Sequence, residues 1–165
     1  MALLPILRFP DPRLKKVAQP VVQIDASIRK LVADMAETMY EAPGIGLAAT
    51  QVDVHQRVVV IDVSEEKNNL LAFINPTLEK CSGEQVGEEG CLSVPGLWHD
   101  ALRHPWARVT GIDLDGDEIV LEGDGLLAQA LQHETDHLDG MLYLSRLSPA
   151  DRKTAMREVR ESSWF

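Results

Sequence analysis

The chain has 165 residues, 45% of them hydrophobic and only 5% aromatic, which is the size of one ordinary domain with its own core. Its 26 Asp and Glu against 16 Lys and Arg give a net charge of -10, a balance that excludes a general electrostatic grip on DNA or on an anionic membrane. Two cysteines, Cys81 and Cys91, are too few for a disulfide scaffold, and no run of ~20 apolar residues offers a membrane span, so a single domain over residues 1–165 in a reducing cytoplasm is expected.

In chain order, MALLPILRFPDPRL opens with an apolar run that Arg8, Pro10 and Pro12 break, which is not the pattern of a leader. Residues 26–40 carry Ile28, Leu31, Val32, Met35 and Met39 at helical spacing, with Asp25 or Ser27 placed to cap and Pro43-Gly44 to stop, and predict an amphipathic helix. VVVIDV (58–63), LAFINP (71–76), PTLEKC (76–81) and WARVTGIDL (106–114) predict strands by their β-branched or alternating content, and Asp115-Gly116 predicts a hairpin turn into EIVLEG. Asp124 is then placed to cap GLLAQALQHETDHL, a second helix that Gly140 ends, and Ser148-Pro149 starts a third through SPADRKTAMREVRESS. Strands grouped between helices, without βαβ alternation, predict an α+β fold with largely antiparallel sheets.

The second predicted helix carries the chemistry, because QHETDHLDG (132–140) holds two of the five histidines four positions apart. A four-residue step turns about 40° past a full turn and rises ~6 Å, so His133 and His137 project from one face and together grip one ion. Glu134 lies about 100° round, off the ligand line but close enough to accept a proton from water on that ion. A plain core or surface role is less fitting, since two histidines, a glutamate and an aspartate on a leucine-rich helix would each need another partner.

A catalytic site of this kind has a third protein ligand and an open position for water. The extended pattern HExxHxxGxxH fits at Gly140 but ends in Tyr143, so it fails. Three sources stay open. Glu158 or Glu161, well downstream in a charged helix, would make a zinc endopeptidase. Cys81, in a polar strand, would close a non-enzymatic Cys2His2 site. Cys91 is favoured, because Glu89 and Gly90 before it and Ser93 to Gly96 after it make a bend where a thiolate and backbone N–H groups face a cleft. GIGLAA from Gly44 spells GxGxxA, but a helix precedes it where a dinucleotide site needs a strand. Its glycines instead let backbone approach a ligand, with Gln51 supplying an amide at the same place.

GIGLAATQ (44–51), EGCLS (89–93) and QHETDHLDG (132–140) closely resemble, in order and spacing, the three signature motifs of the peptide deformylases. FPDPRLKKVAQPV and TMYEAPG extend the resemblance over most of the chain. The resemblance implies an α+β fold around a central ligand-bearing helix, and an enzyme that releases formate from N-formylmethionine at the start of newly made polypeptides. It implies Cys91, His133 and His137 as ligands of one Fe2+, with Zn2+, Ni2+ or Co2+ able to substitute. On that basis Glu134 is the base, while the Gln51 amide and the Leu92 N–H stabilise the developing oxyanion by about 3 kcal/mol each. Gly46 keeps the wall beside them low.

Ile45, Leu126, Gln129 and Ala130, with Gly44 and Gly90, are expected to line the methionine pocket, although Leu126 and Ala130 suit the core equally. Glu89 and Arg103 are expected to pair and steady the cysteine loop, and Asp136 to orient a neighbouring group unless it is simply exposed. The chain departs from the common family pattern at Gly87, where a bulky aliphatic residue is frequent, and at Trp98 and His99, where a basic residue often helps hold the peptide. These departures concern the pocket and leave the chemistry alone. Arg152, Lys153, Arg157 and Arg160 gather in the third helix of an otherwise acidic chain and suit a ribosomal contact, though Asp151, Glu158 and Glu161 dilute the patch.

Overall fold

A computed structural model describes residues 2–165, with the backbone alone for Lys80 and Ser82. In chain order its regular elements are α1 (Ala26–Glu41), β1 (Gly46–Ala48), β2 (Val58–Ile61), β3 (Leu71–Ser82), β4 (Gln85–Cys91), β5 (Val94–Arg103), β6 (Trp106–Ile112), β7 (Glu118–Asp124), α2 (Gly125–Leu138) and α3 (Pro149–Glu161). One sheet has five strands in the order β1-β2-β3-β6-β7, the other is the β4-β5 hairpin, and all these pairings are antiparallel. The α+β expectation with antiparallel sheets is met.

Strand β2 shows why an unbroken apolar run folds as a strand here. Val58 and Val60 join the cluster that α1 completes through Ile28, Val32, Met35 and Met39, whereas Val59 and Ile61 join the cluster of Ala130, Leu131 and Leu138 from α2. Alternate side chains point to opposite faces, so a strand covered on both faces has no position for a polar residue. Helix α1 starts where Asp25 accepts hydrogen bonds from the N–H groups of Ser27 and Ile28 at 3.0 and 3.1 Å.

Helix α2 is buried from Ala130 through Leu138. Its apolar stripe lies on the five-stranded sheet, and its polar stripe is covered by the β4-β5 hairpin, which supplies the partners described below. The helix ends at Gly140 with φ +78, and a Cβ there would collide with the Lys15 carbonyl. Both the turn and the close approach therefore require glycine. Ser148 accepts from Asp151 N–H at 3.1 Å with Pro149 in the first turn, as expected for α3.

Two expectations are corrected, and two strands are added. LAFINP and PTLEKC are one strand, β3, interrupted at Asn75 with φ +53, whose side chain holds both the N–H and the carbonyl of Val21. Asp124 precedes α2 but makes no side-chain cap; Gly125 turns the chain into the helix with φ +58. Strands β4 and β5 are not among the predicted strands; in β5 the large apolar side chains Trp98 and Leu102 are exposed while Ala101 and Arg103 are buried, so the alternation is inverted in the sequence.

Both ends of the chain reach the hairpin. Leu7 N–H donates to Gln51 O at 2.7 Å and Phe9 N–H to Ser93 O at 2.8 Å, while the Trp164 indole donates to Pro95 O at 2.9 Å. Among the described residues no helix is long and apolar enough to cross a membrane.

Candidate metal centre

Two residues, Leu92 and Ser93, connect β4 to β5, and the turn places Cys91 at the end of β4 opposite Val94. The hairpin lies against α2 so that one ligand atom each from Cys91, His133 and His137 falls within 4.8 Å of the others. Cys91 Sγ is 3.3 Å from His137 Nε2, which is 3.2 Å from His133 Nε2. A thiolate with two imidazole nitrogens at one point is a ligand set for a borderline divalent ion. Among the described residues this is the only such cluster, and it includes neither Cys81 nor Glu158 nor Glu161. Cys81 pairs with Ala107 in the five-stranded sheet, and Glu158 faces His99 at 3.4 Å.

The orientation of His133 is fixed from behind. Its Nδ1 lies 2.5 Å from Glu89 Oε1, so an ionised Glu89 accepts the Nδ1 proton and leaves the Nε2 lone pair directed at the cluster. Glu89 in turn accepts from Arg103 Nε at 3.1 Å and Nη2 at 2.7 Å. Burial alone would raise the Glu89 carboxyl, but the hydrogen bonds from His133 and Arg103 hold it down at about 2. The expected Glu89–Arg103 pair is thus a buried one. Asp136 is buried as well, receiving Arg103 Nη1 at 2.5 Å and Arg146 Nε and Nη2 at 3.1 and 2.9 Å.

Glu134 sits beside the ligands, with Oε2 4.0 Å from His133 Nε2, and its Oε1 is buried without a hydrogen-bond partner. Burial pushes its carboxyl up to about 7 against the pull of His133. A group poised there accepts a proton near neutral pH and can release it again. Gly46 forms the opposite wall, and any Cβ on it would meet the Glu134 carboxylate. Burial opposes charge on both ligand histidines; the negative charges of Glu134 and Cys91 nevertheless raise His133, whereas His133 and Arg103 further depress His137.

Gln51 is fully buried and its amide is clamped: Oε1 accepts from Ala48 N–H at 3.0 Å, and Nε2 donates to Ser93 Oγ at 3.0 Å. The amide has two N–H bonds, and Nε2 also lies 3.7 Å from Cys91 Sγ, so a second donor is available at the cleft. Ser93 N–H approaches the same sulfur at 3.4 Å. Leu92 packs its side chain over Gly44 and carries its own N–H in the turn beside Cys91.

The residues expected to line a side-chain pocket are more dispersed. Ile45 and Leu126 are exposed, Gln129 donates to Glu88 O at 3.0 Å, Gly90 lies under the Trp98 ring, and Ala130 is packed in the core with Val59 and Phe73. Sequence reasoning missed Ser93, Tyr143 and Arg146. Tyr143, rejected as a third ligand, is fully buried and stacks on His133 with ring centres 6.3 Å apart, its hydroxyl 2.7 Å from His99 Nδ1. Its place three residues after Gly140 was the signal, read only for metal binding.

Fold and site together define a metal-dependent hydrolase with a buried glutamate beside its ligand cluster. The sequence profile of the family described as polypeptide deformylase matches residues 3–153. The chain belongs to that family. Peptide deformylase 1 of Burkholderia multivorans is 57% identical over 166 residues, covering 98% of this chain and 92% of the relative. Peptide deformylase of Cellvibrio japonicus is 58% identical over 153 residues, covering 92% and 90%. The crystal structure of a Legionella pneumophila peptide deformylase superposes with a TM-score of 0.92 at 42% identity, over 97% of this chain and 95% of that one. The Ehrlichia chaffeensis peptide deformylase in complex with actinonin gives 0.91 at 40% identity over 100% of both chains.

Proposed function

We propose that residues 1–165 act as one catalytic domain that hydrolyses the formyl group from N-formylmethionine at the start of new polypeptides in the cytoplasm, releasing formate. The observation that carries this reading is the convergence of Cys91, His133 and His137 beside a buried, partnerless Glu134 oxygen. A divalent ion held by those three side chains supplies a Lewis acid that brings the pKa of water from about 15.7 toward 7. Glu134 accepts the proton of the attacking water and passes it to the leaving amine. As the formyl oxygen becomes negative, the Gln51 amide N–H that otherwise points to Cys91 Sγ and the Leu92 N–H donate to it, the Gln51 amide being held by its Ser93 contact. Gly46 has no side chain because one there would displace the Glu134 carboxylate. Of the residues expected to border the path of the first side chain, Gly44, Ile45, Leu126 and Gln129 stay in this reading, whereas Gly90 lies under Trp98 and Ala130 belongs to the core.

The ion of this reading is Fe2+. One thiolate and two imidazoles accept several divalent ions and hold zinc firmly, but affinity and activity need not coincide. A ferrous ion beside an electron-rich sulfur is open to oxidation by dissolved oxygen. Formate release from formyl-Met-Ala-Ser is therefore expected to be fastest with anaerobically prepared iron protein and to decay in air. Nickel or cobalt protein is expected to be nearly as active and durable, and zinc protein stable and slow. Zinc protein as fast as iron protein, or iron protein unchanged by air, would overturn the iron assignment; no formate release by any form would overturn the reaction itself.

A ribosomal contact through α3 is supported by a groove in which Arg152, Lys153 and Arg160 surround Leu147, Pro149 and Met156. Reversing Arg152 and Lys153 to Glu is expected to reduce co-sedimentation with ribosomes. Co-sedimentation that survives the reversal would sink the contact. The helix is better left in place for this test, because its Ala155 and Val159 belong to the core.

A further inference from the structure

We infer that Arg146 is a positioning residue of the metal centre, acting on His133 through Asp136, Arg103 and Glu89. Each link has a short contact. Arg146 donates two bonds to Asp136 at 2.9 and 3.1 Å, and Asp136 shares its carboxylate with Arg103 Nη1 at 2.5 Å. The two remaining donor positions of Arg103 hold Glu89, and Glu89 Oε1 takes the Nδ1 proton of His133. The inference rests on the reading that His133 is a ligand.

What separates this chain of contacts from an ordinary surface ion pair is how fast water is lost along it. The Arg146 side chain is 39% exposed, and by itself such a pair contributes little. Asp136 behind it is 12% exposed, Arg103 7% and Glu89 3%, so the charges beyond the first link interact with little screening. Without Arg146, Asp136 keeps one cationic partner instead of two and draws harder on the guanidinium of Arg103. That guanidinium is planar and divides its donors between two carboxylates in fixed directions, so a rotation toward Asp136 loosens the fork on Glu89. A loosened Glu89 holds the Nδ1 proton and the ring plane of His133 less well, and the ligand lone pair loses its aim. The outer end of the chain borders an open cavity of about 340 Å³ whose lining includes Arg103, His104, Gln132, Asp136 and Arg146, and among the described residues no Lys or Arg other than Arg103 and Arg146 lines it.

The test measures Co2+ dissociation constants of the full chain by competition with a chelating dye, with the thiolate-to-cobalt band confirming the ligand set. Arg146→Ala is expected to weaken Co2+ by about three- to tenfold, less than the loss typical of a direct partner of a ligand. Arg146→Lys should recover part of this, since it restores charge but not the paired bonds. In an Asp136→Asn background, Arg146→Ala should change affinity by less than about twofold. Equal losses in both backgrounds, or no loss in either, overturn the inference. If Asp136→Asn does not fold, the downfield proton resonance of the His133 Nδ1–H bond in zinc-loaded protein decides: it should move in Arg146→Ala, and an unmoved resonance is equally fatal. Cobalt binding untouched by Cys91→Ser would instead refute the ligand assignment, separately from any role of Arg146.

Discussion

Glu134→Gln is expected to leave metal content unchanged while lowering kcat by about 100- to 10,000-fold, the range spanned by loss of a positioned acid–base group. The ligand atoms of Cys91, His133 and His137 are untouched by the change, and Gln has nearly the shape of Glu, so the effect isolates the proton carrier. Turnover within a few-fold of the parent would mean that Glu134 is not the base. The same substitution has an opposite effect on the metal-free protein. Burial lifts the Glu134 carboxyl from 4.5 to about 7, so the folded state holds the proton more tightly than the unfolded chain. Stability contributed by the protonated form is complete below about pH 4.5 and is lost as pH rises through about 7, a penalty on the order of 3 kcal/mol for a fully buried group. Gln does not ionise and avoids it. Metal-free Glu134→Gln should therefore melt above the metal-free parent at pH 8, with the gap closing toward pH 5; equal melting temperatures at pH 8 would contradict the burial argument.

Cys91→Ser is expected to weaken divalent-metal binding by on the order of 1,000-fold and to abolish formate release, because it removes the one anionic ligand. A serine hydroxyl stays protonated near neutral pH and is a harder, weaker donor than a thiolate. Glu158→Gln and Cys81→Ser should retain the metal and keep activity within about twofold, given that neither side chain belongs to the cluster. Metal loss in Glu158→Gln would revive a glutamate ligand from α3, and metal loss in Cys81→Ser a four-ligand structural ion. Titration with a chelator and metal analysis of each variant distinguish the three outcomes.

The parts legible in the sequence are those whose stability is local or periodic. Asp25, Ser148 and Gly140 mark helix limits with side-chain or backbone chemistry that acts within a few residues, and all three act where the pattern places them. The two histidines and Glu134 are readable because one helical turn fixes their relative directions. The β4-β5 hairpin is not readable in the same way. Its inward positions include Glu89 and Arg103, which look like surface residues until α2 supplies His133 and Asp136 as partners. No periodicity encodes a contact between residues 44 positions apart. Asp136 illustrates the same limit: on the helix alone its exposure and its pairing are equally plausible, and only Arg103 and Arg146 decide it. Cys91 could be preferred over Cys81 from its flanking turn residues, but the clamp on Gln51 by Ser93 emerges only in three dimensions.

Phe9 and Trp164 meet the same short turn, one through Ser93 O and the other through Pro95 O, while Leu7 secures Gln51. The turn that carries Cys91 is thus held by two segments, around residue 9 and around residue 164, that lie far from it in sequence. Neither hold belongs to a helix or a sheet; each is a single hydrogen bond made by a residue that also packs against the cluster of Val94, Ala101 and Tyr143. A substitution at Phe9 or Trp164 therefore acts on the cysteine turn before it acts on the clusters that α1 and α2 complete with the five-stranded sheet. A preparation can in this way keep its helices, its sheets and its melting transition while losing competence to hold the ion, and far-UV spectra would pass it as intact.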